Sequence, residues 1–135
     1  MSDDGIRAFF ERDLFAKHVG IELLDAAPGR ARASMRIDDH HRNAVGMVHG
    51  AAIFSLADLV FAVASNAHGS LALGVNASVS YLKAVRQGVL IAEAEEVSLN
   101  RRLATYLIRV LDQDGALVAL FQGTVYRKPD SPGLG

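Results

Sequence analysis

Three stretches of the chain alternate apolar and polar residues with the period of two that a half-buried strand requires. From Arg30 to Ile37, the residues Ala31, Ala33, Met35 and Ile37 fall on one face and Arg30, Arg32, Ser34 and Arg36 on the other. From Val75 to Tyr81, Val75, Ala77, Val79 and Tyr81 alternate with Asn76, Ser78 and Ser80. From Ala104 to Val110, Ala104, Tyr106, Ile108 and Val110 alternate with Thr105, Leu107 and Arg109. A fourth stretch, Leu117 to Tyr126, is apolar on both faces and suits a central strand. Val89 to Val97 is a weaker strand with Glu93 and Glu95 on its wet side, and a short strand is expected at about Ile21 to Ala26.

Turn residues separate these runs: Pro28-Gly29, Gln87-Gly88 and the hairpin signal Asp112-Gln113-Asp114-Gly115. The links are too short for helical crossovers, so the late strands run antiparallel. Two segments have helical periodicity instead. Asp3 to Lys17 carries a narrow apolar stripe of Phe10, Leu14 and Phe15 on a charged helix, whereas Val48 to Ala67 is apolar nearly all round. A helix of the second kind must be covered on several sides. The expected architecture is therefore α+β: an antiparallel sheet of five to six strands wrapped around a long central helix, with an N-terminal helix over about 3–17. With 135 residues the chain reads as one domain, 1–135, whose last segment, about 128–135, is expected to fray.

Composition removes several function classes. Fourteen Lys and Arg against fifteen Asp and Glu leave a formal charge of -1, without the basic excess of a nucleic-acid binder. The absence of cysteine excludes disulfides, thiolate metal sites and Cys nucleophiles. The acidic start, Met1-Ser2-Asp3-Asp4, lacks the apolar run of a secretory signal, and no run of about 20 apolar residues is present to span a membrane. A cytoplasmic location without membrane or nucleic-acid partners is the expectation. No Gly-x-Ser-x-Gly elbow, P-loop or Gly-x-Gly-x-x-Gly motif occurs.

One constellation carries chemistry. Between Asn43 and Leu82 the only formally charged residue is Asp58, midway along the most apolar helix. A buried carboxylate there is either a structural group, bonded for instance to Ser55 one turn back, or a catalytic acid or base in an apolar cleft. Upstream, the loop from Asn43 runs through Val48-His49-Gly50-Ala51 into the same helix. Gly50 admits close approach of a ligand, and the free N–H groups of a helix start suit a developing oxyanion. His49 taken alone reads as a capping or packing histidine.

Helical geometry constrains how these groups cooperate. Gly50 and Asp58 are separated by about 12 Å of helix, and His49 and Asp58 fall on opposite faces. One chain does not easily bring both ends to a single substrate atom. A two-fold dimer does, with the helix start of one subunit facing Asp58 of the other.

The run His49-Gly50-Ala51-Ala52-Ile53-Phe54-Ser55-Leu56-Ala57-Asp58, continued to Asn66, resembles the His-Gly-Gly…Leu-Ala-Asp…Asn signature of phenylacetic-acid-degradation-type (PaaI-like) hotdog thioesterases. The similarity extends from about Val19 to Arg127 and includes Asn43 and Tyr81, with Ala51 standing where the family has its second glycine. The resemblance implies a hotdog fold and hydrolysis of an acyl-CoA thioester, with phenylacetyl-CoA or hydroxyphenylacetyl-CoA as the leading substrate. It implies Asp58 as nucleophile or general base, the Gly50 N–H as polariser of the carbonyl, His49 in support of the oxyanion end, and Asn43 as a residue placing water or substrate. No cofactor or metal is implied. The expected assembly is a homo-oligomer, dimers with shared sites paired into a tetramer. A hotdog enoyl-thioester hydratase or dehydratase and a non-catalytic acyl-CoA-binding dimer are the alternatives.

Weaker signals surround this core. Asn100-Arg101-Arg102 reads either as a solvated turn or as a clamp for coenzyme A phosphates, with Lys83 and Arg86 as lesser contributors. Ser55 and Asn76 are candidate substrate contacts. In Asp38-Asp39-His40-His41 the adjacent histidines point opposite ways in an extended strand, so metal binding is not expected. The Phe9, Phe10 and Phe15 group anchors the first helix or lines an acyl pocket.

Overall fold

The computed structural model describes residues 3–132. Where one N-terminal helix is expected there are two, α1 (Asp3–Glu11) and α2 (Leu14–Val19). Asp13 causes the break. Its carboxylate accepts from the Ala16 N–H at 2.9 Å and so starts a second helix, an arrangement that stabilises a helix by about 1 kcal/mol. Gly20 ends α2 at φ 93°, a left-handed conformation natural to glycine, and its N–H reaches the carbonyls of Ala16 and Lys17. The break also redirects the expected stripe: Ile6, Phe10 and Ala16 are buried, while Leu14 and Phe15 are 74% and 64% exposed.

Six strands follow: β1 (Ile21–Ala27), β2 (Arg30–Arg36), β3 (Ser70–Tyr81), β4 (Val89–Leu99), β5 (Leu103–Leu111) and β6 (Leu117–Pro132). They form one antiparallel sheet in the order β1-β2-β4-β5-β6-β3. The periodicity of β2 and β5 survives intact, with Ala31, Ala33 and Met35 buried on one strand and Ala104, Tyr106, Ile108 and Val110 on the other. The Asp112 hairpin forms as well: one carboxylate oxygen accepts from the N–H groups of Asp114 and Ala116, and the other pairs with Lys83.

The helix α3 (Gly50–Asn66) lies in the concave face of this sheet. Leu56, Val60 and Val63 are almost completely buried, each contributing about 1.5–3 kcal/mol of hydrophobic stabilisation. The cover is incomplete. Ala51 and Asp58 are exposed, and Phe54, Ser55 and Ala62 are half-buried, at spacings that trace one helical stripe.

Beside that stripe runs β3, an edge strand paired on one side only, to β6. The expected apolar face of β3 is not buried: Leu73, Val75 and Tyr81 are each half or more exposed. A register shift between Gly74 and Asn76 takes Val75 out of the alternation. The expected fraying from 128 onward does not hold through 132, because Lys128 pairs with Leu71 and Pro132 with Ser70 in the sheet; residues 133–135 lie outside the described residues. No described helix is long and apolar enough to cross a membrane.

Candidate active site

The site begins with how α3 is started. His49 is its N-cap, with Nδ1 accepting from the Ala51 N–H at 3.0 Å. The imidazole is thereby committed to the helix start and points away from Asp58, as helical geometry requires for residues nine apart. Among the described residues the Gly50 N–H has no hydrogen-bond partner, which leaves a donor at the positive end of a seventeen-residue helix.

The loop before it is shaped by Asn43. Its Oδ1 accepts from the N–H groups of Val45 and Met47, both at 3.0 Å, and its own N–H donates to the Met47 carbonyl. This places Asn43 on a cavity of about 370 Å³ that also takes in Met47, Gly50, Tyr81, Leu82 and Lys83. Its oxygen is used to hold the turn; only the amide nitrogen is turned over to other contacts.

Tyr81, at the end of β3, closes the helix start from the side. Its hydroxyl donates to the Gly50 carbonyl at 3.1 Å, and a Cβ at position 50 would stand 3.1 Å from the ring. Glycine is favoured here by a close neighbour rather than by backbone conformation. The Gly-to-Ala departure from the family signature falls instead at Ala51, which is exposed and accommodated.

Asp58 differs from the sequence expectation in one respect. It is not buried: it stands on the exposed stripe of α3, and its carboxylate makes no hydrogen bond to any described residue. Ser55, its possible partner, donates to the Ala51 carbonyl at 2.8 Å instead. Asp58 lines a cavity of about 560 Å³ together with Asp13, Phe15, Phe54, Ser55 and Tyr81. The crowding of these groups displaces enough water to push its pKa above the ordinary carboxylate value, and the negative charge of Asp13 pushes it further the same way.

The remaining sequence candidates separate into two sets. Arg101 and Arg102 sit in the β4–β5 turn at the far end of β3 from Gly50, where Tyr126 of β6 meets Leu103 and Leu73. Arg101 approaches Asp130 only to 3.9 Å, and Arg102 approaches the Tyr126 hydroxyl at 3.5 Å. Asn76 is exposed on β3 beside the register shift. Lys83 is paired with Asp112, and Arg86 donates to the Val45 carbonyl, so both have structural work. Asn66, part of the signature, is buried with its amide satisfied. It donates to the carbonyls of Ala62 and Ala72 and accepts from the Ala72 N–H, clamping the α3–β3 turn. His41 is likewise a structural group, its Nδ1 accepting from the Asp38 N–H and its Nε2 facing the Val19 carbonyl.

Two residues escape a reading of the sequence for chemistry, one at the site and one away from it. Asp13, on the larger cavity, lies inside a segment read as one continuous helix, whose apolar stripe runs past it. The other case, away from the site, is Glu96, which alternation places on the same face of β4 as Leu90, Ala92 and Ala94. It pairs with Tyr106 in the unbroken register of β4 and β5, and its Oε1 accepts from the Tyr106 hydroxyl at 2.6 Å and meets His68 Nε2 at 2.7 Å. That cluster lies beyond the C-terminal end of α3 and holds the fold rather than the site. Burial, then the bond to Glu96 and its charge, pushes the Tyr106 phenol upward.

The antiparallel sheet wrapped on one helix is shared with a class of thioester hydrolases. The thioesterase superfamily profile matches residues 45–119, and the chain belongs to that family as a PaaI-like hotdog thioesterase. The acyl-coenzyme A thioesterase PaaI of Escherichia coli is 31% identical over 121 residues, 89% of this chain and 86% of that protein. A protein of Archaeoglobus fulgidus provisionally named an esterase is 44% identical over 119 residues, 87% of this chain and 77% of the relative. Among solved structures, the Escherichia coli PaaI protein superposes with TM-score 0.89 at 29% identity, covering 93% of this chain and 91% of that one. A mutant form of the phenylacetic acid degradation protein PaaI of Thermus thermophilus superposes with TM-score 0.83 at 38% identity, covering 86% and 100%. The protein is therefore an enzyme of the thioester-hydrolase class.

Proposed function

We propose that this thioesterase cleaves arylacetyl-CoA esters, of which phenylacetyl-CoA and its hydroxylated relatives lead, at sites shared between the two chains of a homodimer. The observation that carries the reading is the separation of Gly50 and Asp58 along one face of α3, beside an edge strand with no second partner. α3 and β3 run in opposite directions, with Tyr81 bonded to Gly50 at one end and Asn66 to Ala72 at the other. Two β3 strands pairing antiparallel about an axis near the strand's middle bring the Gly50 end of each chain toward the Asp58 end of its partner. The same pairing covers Leu73 and Val75 and satisfies an edge that otherwise invites association. Two such dimers joined as a tetramer is the assembly proposed from this starting point.

In that site the Gly50 N–H receives the thioester carbonyl oxygen as it becomes an oxyanion. Asp58 of the opposite chain takes a proton from water as the water oxygen attacks the carbonyl carbon. Collapse breaks the C–S bond, and the proton passes to the leaving thiolate of coenzyme A. The raised pKa of Asp58 makes its carboxylate a stronger base than an ordinary one. Direct attack by the carboxylate, through an anhydride that water then opens, uses the same groups; single turnover in ¹⁸O-water labels Asp58 only by that route. Neither route needs a metal or redox cofactor. Arg101 and Arg102, weakly paired and at the far end of β3, come beside the partner's Gly50 cavity in this dimer and are proposed to hold coenzyme A phosphates.

Complementation tests the shared site. Gly50→Pro removes the N–H at the first helical position, where proline is tolerated. His49, at φ -67° and ψ 139°, already has the extended conformation that a residue before proline adopts. Gly50→Pro and Asp58→Asn homodimers are each expected to be nearly inactive. Unfolded together and refolded, half the dimers are mixed and each carries one intact site, restoring about a quarter of wild-type activity. Mixed dimers verified by mass spectrometry that release no free coenzyme A would refute the shared site.

A further inference from the structure

Asp58 is the common wall of two cavities. One is the cavity it shares with Asp13, Ser55 and Tyr81. The other, of about 250 Å³, extends toward the C-terminal end of α3 between Phe9, Phe61, Ala62, Leu73, Gly74 and Val125. The two differ in chemistry. The first offers a carboxylate from Asp13 and hydroxyls from Ser55 and Tyr81. The second is apolar apart from Asp58 itself, Ser65 and Asn66, and these last two have no spare capacity to donate. The Ser65 hydroxyl donates to the carbonyls of Phe61 and Ala62, and both bonds from the Asn66 amide nitrogen go to main-chain carbonyls.

The shape of the second cavity depends on how the Phe61 ring is seated. A Cβ at Gly123 would stand 2.7 Å from Phe61 Cζ, and one at Gly74 would stand 3.1 Å from Phe61 Cε2. The two glycines thus let the ring lie against the sheet, leaving open the space between it, Ala62 and Phe9. α1 supplies Phe9 as the outer wall, so the three phenylalanines of the N-terminal segment have separate tasks. Phe10 is buried as the anchor, Phe9 faces the small cavity, and Phe15 faces the larger one.

We infer that the cavity bounded by Phe9, Phe61, Ala62 and Gly74 receives the acyl group, and that Phe9 and Ala62 set the largest acyl group accepted. This rests on the proposed thioesterase site at Asp58. A group filling this cavity lies against Asp58, one of its walls. The cavity lacks both cations for phosphate and free polar partners for the amides of the pantetheine arm, which leaves the apolar acyl portion of the substrate. At about 30 Å³ per heavy atom, the volume share of a water molecule, it admits about eight such atoms. A phenyl ring with its methylene is within that volume, and a long fatty acyl chain exceeds it.

Two substitutions with opposite consequences provide the test. Ala62→Leu extends a side chain into the cavity from a half-buried position of α3, and Phe9→Ala removes its outer wall. The full-length wild type and both variants are assayed for free thiol release from propionyl-, phenylacetyl- and decanoyl-CoA. Ala62→Leu is expected to lower the ratio of kcat/KM for phenylacetyl-CoA to that for propionyl-CoA by tenfold or more. Phe9→Ala is expected to raise the decanoyl-to-phenylacetyl ratio by a similar factor. Ratios that stay within twofold in the folded variants, or KM rising equally for all three esters as expected of a pantetheine channel, overturn the assignment. If one variant fails to fold, the other alone decides. A wild type that releases thiol from none of the three removes the thioesterase site and this assignment together; activity with unmoved ratios removes only the acyl cavity.

Discussion

The Tyr81 hydroxyl rests on the carbonyl of Gly50 at 3.1 Å while its ring occupies the space a side chain at position 50 would need. The last residue of β3 thus fixes both the position and the identity of the first residue of α3. Because β3 is also an edge of the sheet, whatever pairs with that edge is mechanically connected to the proposed oxyanion donor.

The contact makes a double-mutant prediction. Gly50→Ala keeps the N–H but drives the Tyr81 ring aside, and kcat/KM for an acyl-CoA is expected to fall by about tenfold, or about 1.4 kcal/mol. In a Tyr81→Ala background the same substitution has space, so the losses should be less than additive, with coupling of about 0.5–3 kcal/mol. Strict additivity would show that the ring and the glycine act independently.

Asp58 is expected to matter to rate and not to folding. Asp58→Asn should lower turnover by roughly 10²-fold or more. The pKa of Asp58 is raised in the folded chain from an ordinary 3.8, so the folded state holds the proton more tightly than the unfolded state. By linkage the ionised group lowers stability as pH rises from 3.8 through the raised value, and has no such effect below 3.8. The Asn variant should therefore melt no lower than wild type at pH 7, and the two should converge in acid. A variant that melts well below wild type at pH 7 would assign Asp58 a structural role.

Asp13 gives a separable electrostatic effect. Asn is as good an N-cap as Asp, so Asp13→Asn keeps the bond to the Ala16 N–H while removing the charge beside Asp58. Asp58 then ionises at lower pH, and the acid limb of the kcat/KM profile should move to lower pH. Added salt should shrink the difference between the two profiles by screening. Superimposable acid limbs at low ionic strength would show that Asp13 shapes the cavity without tuning the carboxylate.

The two arginines of the β4–β5 turn are tested by truncating the substrate. Removal of both charges at Arg101 and Arg102 should raise KM for acyl-CoA severalfold, and much less for an acyl-pantetheine, which has no nucleotide phosphates. Equal changes for the two substrates would leave the turn as solvated surface.

The sequence by itself determined the antiparallel sheet, the central helix and the separation of Gly50 from Asp58, because strand and helix periods and the rise per residue are local properties. The turns at Gly29 and Asp112 were legible for the same reason. Tertiary structure decided which side of an apolar helix would stay uncovered. The residues of α3 are apolar nearly all round, so their pattern alone did not show that the stripe through Ala51, Ser55 and Asp58, with half-buried Phe54 and Ala62, stays uncovered. That choice belongs to the sheet order, which leaves β3 at an edge and brings Asp13 and Phe15 alongside. His49 and Asn43 show the same division. Their places in the motif were readable, but the hydrogen bonds that commit His49 Nδ1 to Ala51 and Asn43 Oδ1 to Val45 and Met47 depend on the path of the folded loop. Glu96 shares a face of β4 with Leu90, Ala92 and Ala94 by simple alternation, but its partners, Tyr106 on β5 and His68 beyond α3, come from distant parts of the chain that only the folded pairing brings together.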